Sequence, residues 1–160
     1  MNEWNDFWMA VAGSAAALTG LIFVGVSISL KELLANPQLP TRAIQSLLLL
    51  MTVLVVSILN LIPKQPSILM GLEVLITGII VWIITLRADL KVLPKIEAKN
   101  RRYVRQNIIL TQFAVAPYIV AGIIICIIGK DGIYWITPGI ILCFTKALLD
   151  AWVLLVEIYR

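Results

Sequence analysis

From Phe7 to Leu30 the chain runs without a single charged side chain, and four more apolar runs follow at about 43–62, 68–86, 107–128 and 138–158. An α-helix needs about 20 such residues to cross roughly 30 Å of hydrocarbon. The pattern predicts an all-α polytopic integral membrane protein with five transmembrane helices, forming a single transmembrane domain over residues 1–160. Four spans plus one re-entrant or interfacial segment is the alternative. Composition agrees: 61% of the residues are hydrophobic and 14% are charged, whereas a soluble domain lies near ~45–50% apolar. The acidic start MNEWND is the wrong charge for a secretory leader, so the first run is expected to be an uncleaved span.

The connections set an orientation. Between Arg87 and Gln106 lie Arg87, Lys91, Lys95, Lys99, Arg101, Arg102 and Arg105 against Asp89 and Glu97, and a loop this basic is expected in the cytoplasm. Lys31, Arg42 and Arg160 fall on the same side, making ten basic residues, while Lys64 and Lys130 fall on the other and Lys146 stays in the membrane. The N-terminus is then outside and the C-terminus cytoplasmic, in a cell membrane of the bacterial inner-membrane type. Pro37 and Pro40 are expected to break the chain before a second span capped by Thr41, and Thr137 with Pro138 to start the fifth. Trp4, Phe7, Trp8, Tyr134 and Trp135 are expected at the interfaces. Arg101, Arg102 and Arg105 are candidates for anionic lipid head groups; otherwise the loop only sets topology.

Polar residues inside the spans are the functional candidates. A charged side chain at mid-membrane costs about 3 kcal/mol, so it faces a partner, a cavity or a pore instead of lipid. Lys146 and Asp150 are four residues apart, hence on one helix face, and Glu157 extends that stripe toward the surface. They form either a polar path or a structural ion pair. Glu73 and Asn60, at similar depth on neighbouring spans, are a second candidate pair, although Glu73 can also snorkel to the interface or pair with Lys64. Ser46, Ser57 and Asn60 share a face that lines water or bonds a neighbouring helix. On the first span Gly13, Ala17 and Gly20 belong to a stripe of small residues expected to pack against protein.

Histidine is absent, which removes imidazole bases and most zinc or haem ligation. Cys126 and Cys143 lie in apolar runs and read as small buried hydrophobes. No cofactor, metal, nucleic-acid partner or enzymatic activity is expected.

The runs GSAAALTGLIFVGVSISL at 13–30, YWITPG at 134–139 and AWVLLVEI at 151–158 resemble a largely uncharacterised group of small bacterial multi-pass membrane proteins, some labelled modulators of the FtsH membrane protease. The resemblance implies a bacterial membrane protein and assigns no active residues. From the residues themselves, the leading expectation is a homo-oligomeric ion or small-solute channel, since five short spans offer one subunit little interior for its charges. The alternative is a scaffold or regulator of another membrane protein, such as a membrane protease, docking through the first span.

Overall fold

The computed structural model describes residues 3–35, 39–95 and 101–158. They form α1 (Glu3–Ile28), a short α2 (Leu30–Ala35), α3 (Leu39–Asn60), α4 (Ser67–Val92), α5 (Arg101–Ile128) and α6 (Ile136–Ile158). Short 3₁₀ segments, Leu93–Lys95 and Lys130–Trp135, lead out of α4 and into α6. All helices except α2 are long and apolar enough to cross a membrane, five in number.

Helices α3 to α6 pack in a ring, each against the next, with α6 closing back onto α3; α1 lies against α3. The ring forms because each of its helices carries one continuous inward stripe. On α4 that stripe is Gly71, Val74, Gly78, Val81, Thr85 and Asp89, all buried and spaced three or four residues apart, the period that keeps one helix face toward a neighbour. Leu49, Leu50, Val53 and Val56 of α3 meet Val115, Tyr118, Ala121 and Ile125 of α5 and Ile136, Ile140 and Cys143 of α6 in one core.

The closest approach is between α4 and α5, where glycine lets backbones touch. A Cβ on Gly122 would stand 2.7 Å from the backbone of Leu75, and one on Gly71 would stand 2.9 Å from the Cys126 amide nitrogen. The small-residue stripe of α1 behaves differently. Trp8 and Ala15 are buried with Val11, Leu18 and Ile22 packed beside them, while Gly13, Ala17 and Gly20 are exposed. No other group lies within 4 Å of where a Cβ on Gly13 or Gly20 would be.

Several helix limits lie beyond the apolar runs. Helix α4 continues to Val92 and α5 begins at Arg101, so most of the basic stretch 87–106 is helical and not loop. Apolar runs mark the part of a helix that suits lipid; Arg, Lys, Ala and Leu extend the helix beyond it because they are good helix formers. Helix α3 begins at Leu39, which puts Pro40 and Thr41 in its first turn, and α6 begins at Ile136, which puts Thr137 and Pro138 inside it. Proline is tolerated in a first turn, where the missing N–H has no intrahelical partner. Pro37 lies outside the described residues. Trp8 is 1% exposed and belongs to the core, stacked on Trp4, which in turn meets Tyr134 edge-on at 4.8 Å.

Candidate functional site

At the end of the ring that holds the start of α3 and α5, polar and charged side chains turn inward from all four helices. Helix α6 contributes Lys146 and Asp150, which form a salt bridge and are 5% and 2% exposed. Their spacing of one helical turn makes the pair, and the position of α6 in the ring turns it away from the outer surface. Helix α3 contributes Arg42 and Gln45, and α4 contributes Asp89, all buried. The Gln45 Nε2 amide donates to Asp89 Oδ1 at 2.6 Å, tying α3 to α4. From α5, Gln112 Nε2 donates to Thr85 Oγ1 at 3.3 Å, while the Thr85 hydroxyl donates to the Val81 carbonyl at 2.9 Å.

Arg42 and Asp89 both lie within electrostatic reach of Lys146. Arg42 and Lys146 against Asp89 and Asp150 make a formally neutral quartet, the balance that buried charges require. Two cavities meet at Arg42 and Asn107. One, of about 20 Å³, is lined by Thr41, Gln45 and Asp89 as well. The other is an open cleft of about 230 Å³ between α5 and α6, with Lys146 and Asp150 in its wall and Trp152 beside them.

Sequence reasoning singled out Lys146 and Asp150 and passed over Arg42, Gln45 and Asp89 as site residues. Arg42 and Asp89 were counted as residues of connections, because they stand outside the apolar runs. The signal that finds Asp89 is periodic: it falls four residues after Thr85 and continues the buried α4 stripe. Arg42 and Gln45 likewise continue the α3 stripe through Ser46, Leu49 and Val53.

Asn60 and Glu73 lie at the opposite end of the ring. Gln45 and Asn60 are fifteen residues apart on α3, roughly 22 Å by helical rise, so the two candidate sets do not meet. Glu73 is half-buried and accepts a hydrogen bond from Gln65 Nε2 at 2.6 Å, whereas Lys64, its expected partner, is exposed at a positive φ of 57°. Asn60 donates through Nδ2 to the Val56 carbonyl at 2.7 Å, and its Oδ1 is buried without a partner. Ser46 and Ser57 donate to the carbonyls of Arg42 and Val53 in their own helix, so these hydroxyls are satisfied locally. A cleft of about 740 Å³ opens at this end, with Asn60, Gln65, Lys64, Lys130 and Tyr134 in its wall. Between the two polar ends the ring is filled mainly by apolar side chains: Leu49, Val53 and Val115 are 0% exposed, together with Cys143 and with Tyr118, whose hydroxyl is buried without a partner.

Arg101, Arg102 and Arg105 come together with Leu93 and Pro94 around a recess of about 570 Å³. The Glu157 side chain lies outside the described residues. Cys126 and Cys143 are free thiols, and Cys143 Sγ donates to the Ala114 carbonyl at 3.5 Å. Among the described residues no three His, Cys, Asp or Glu side chains are grouped to hold a metal ion.

No protein-family model, curated protein or solved structure matches the chain.

Proposed function

We propose that this is an integral, multi-pass protein of a bacterial-type cell membrane, with the arginine-rich end in the cytoplasm, and that its helix ring is a gated conduit for an ion or small solute. Membrane embedding is supported by the outer surface. Phe23, Phe113, Ile127 and Leu21 are each more than 60% exposed, a perimeter that suits lipid and would aggregate in water.

The observation that carries the conduit reading is the placement of charge. Lys146, Asp150, Asp89 and Arg42 are buried within the ring, one of two polar ends separated by an apolar plug. A hydrophobic constriction between wetted vestibules gates by excluding water. One chain buries these charges by itself, so the route is proposed through the bundle of each copy, and self-association of the chain is proposed separately, through the open α1 face. The working state is one in which the Leu49, Val53 and Val115 layer parts.

Purified protein in sealed liposomes tests this. Ion flux above that of empty liposomes, altered by Lys146→Met or Asp150→Asn, is the expected result; leakage equal to empty vesicles under every ion gradient refutes it. The second reading, a scaffold or regulator, is favoured by α1, whose Gly13, Ala17 and Gly20 face the chain leaves open. Such a face lets another transmembrane helix approach closely. It is the surface through which self-association or docking on a second membrane protein would occur, and stoichiometric copurification with a different protein, lost in Gly20→Leu, would identify that role.

A further inference from the structure

Gln45 and Asp89 make one hydrogen bond and leave two oxygens unanswered. Gln45 Nε2 donates to Asp89 Oδ1 at 2.6 Å, yet Gln45 Oε1 and Asp89 Oδ2 are both buried with no partner. The residues are 1% and 4% exposed. Two acceptors cannot satisfy each other, and a buried acceptor left unpaired carries its full desolvation cost. A single proton resolves both vacancies. A carboxylic acid and a primary amide are complementary: the amide N–H donates to one carboxyl oxygen while the acid O–H donates to the amide oxygen, closing a ring of two hydrogen bonds. The first of those two bonds is present.

We propose that Asp89 is a proton-binding site, protonated at Oδ2 and donating to Gln45 Oε1. The proton arrives as hydronium at the Arg42 end, leaving water as the O–H bond forms at Oδ2, and departs by the reverse step, in which water takes it as hydronium and the carboxylate remains; no other bond changes. The cavity of about 20 Å³ that Gln45 and Asp89 line with Thr41, Arg42 and Asn107 holds about one water and gives the carboxyl its contact with that end. The charged groups around the site are Arg42 from α3 and Lys146 with Asp150 from α6. Helix α5 offers only neutral groups here, Asn107 in the cavity wall and Gln112, whose side-chain amide lies within reach to donate to the Asp89 carboxyl and so competes with the proton for it. On α4 itself Arg87 and Lys91 are exposed. Lys146 is already paired with Asp150, so loss and gain of the Asp89 proton switches the quartet between neutral and one net positive charge. In the conduit reading, on which this step's role in transport rests, the proton is the species that enters from the cytoplasmic end.

The test uses the full chain in lipid with aspartate carboxyl carbons labelled with carbon-13, read by isotope-edited infrared spectroscopy. The labelled positions are Asp6, Asp89, Asp131 and Asp150. A protonated-carboxyl band at neutral pH, present in the native chain and in Asp150→Asn and absent in Asp89→Asn, is the expected result. Asp89→Asn, which imitates the neutral acid, should keep the folded-to-unfolded ratio within about threefold of the native value. Only ionised carboxylate in the native spectrum overturns the proposal, as does an Asp89→Asn chain that folds but is roughly a hundredfold less stable, as for a broken buried charge pair. The native spectrum alone decides if the variant does not fold. Proton flux into liposomes, followed with an entrapped pH dye, separates the two readings. The band without proton flux upholds the site and refutes proton conduction, and proton flux unchanged in Asp89→Asn upholds the conduit and refutes Asp89 as its proton carrier.

Discussion

Breaking the Lys146–Asp150 pair from one side should cost far more than removing it whole. Both groups are at least 95% buried, so Lys146→Met strands a carboxylate and Asp150→Leu strands an ammonium. Uncompensated buried charges of this kind cost about 3–5 kcal/mol, while exchanging the whole pair for apolar residues of similar size is about neutral or stabilising. The structure argues for the lower end of that range. A stranded Asp150 still shares its cleft wall with Arg42, and a stranded Lys146 still lies within electrostatic reach of the Asp89 carboxyl. Each single substitution is therefore expected to cost about 3 kcal/mol, roughly a hundredfold in the folded-to-unfolded ratio, and the double substitution less than either. The measurement is a four-variant cycle of reversible unfolding in mixed micelles, followed by tryptophan fluorescence. Two small, additive losses, each below about 1 kcal/mol as for a water-exposed pair, would refute the buried site and with it the inward placement of charge.

Gly122→Ala places a methyl group against the Leu75 backbone at 2.7 Å, and the same unfolding assay should show a loss of about 1–3 kcal/mol from overpacking. Gly20→Ala meets nothing within 4 Å and should leave stability within about 0.5 kcal/mol of native; association with another helix should weaken if that face is a docking surface. Leu49→Ala, in the fully buried plug, should destabilise by about 2–5 kcal/mol and raise basal leak in liposomes. Replacing Arg101, Arg102 and Arg105 by glutamine should reduce the enrichment of anionic lipid around the protein, measured by quenching with brominated lipids. At about 1 kcal/mol per basic residue, the preference should fall roughly a hundredfold at low salt.

The five long helices were legible because each is carried by a run of apolar residues long enough to cross a membrane. The helix ends were not, since charged residues such as Arg87, Asp89 and Arg101 stop an apolar run without stopping a helix. That distinction decides the site. Ended at Leu86, the fourth span leaves Asp89 in water; carried one turn further, it delivers Asp89 to Gln45. The Lys146–Asp150 pair could be read from spacing alone because it is local, while its neighbours arrive from α3 and α4 through packing that no local pattern encodes. The α1 stripe shows the same limit from the other side. Helical spacing put Gly13, Ala17 and Gly20 on one face, but only the position of Trp8 and Ala15 against α3 decided which face the chain would cover.

Burial of the Lys146–Asp150 pair does not require a second copy of the chain. A lone intramembrane ion pair in a five-helix protein looks short of partners, and symmetry is then the natural supplier. Once Arg42 and an ionised Asp89 join it, charges cancel within one chain, and the remaining imbalance is of hydrogen-bonding capacity. It is held by Gln45 Oε1, Asp89 Oδ2 and Gln112 Oε1, three buried acceptors without donors. With Asp89 ionised this cluster is neutral in charge and short of hydrogen-bond donors, and the proposed proton on Asp89 Oδ2 would relieve that shortage at the cost of one net positive charge.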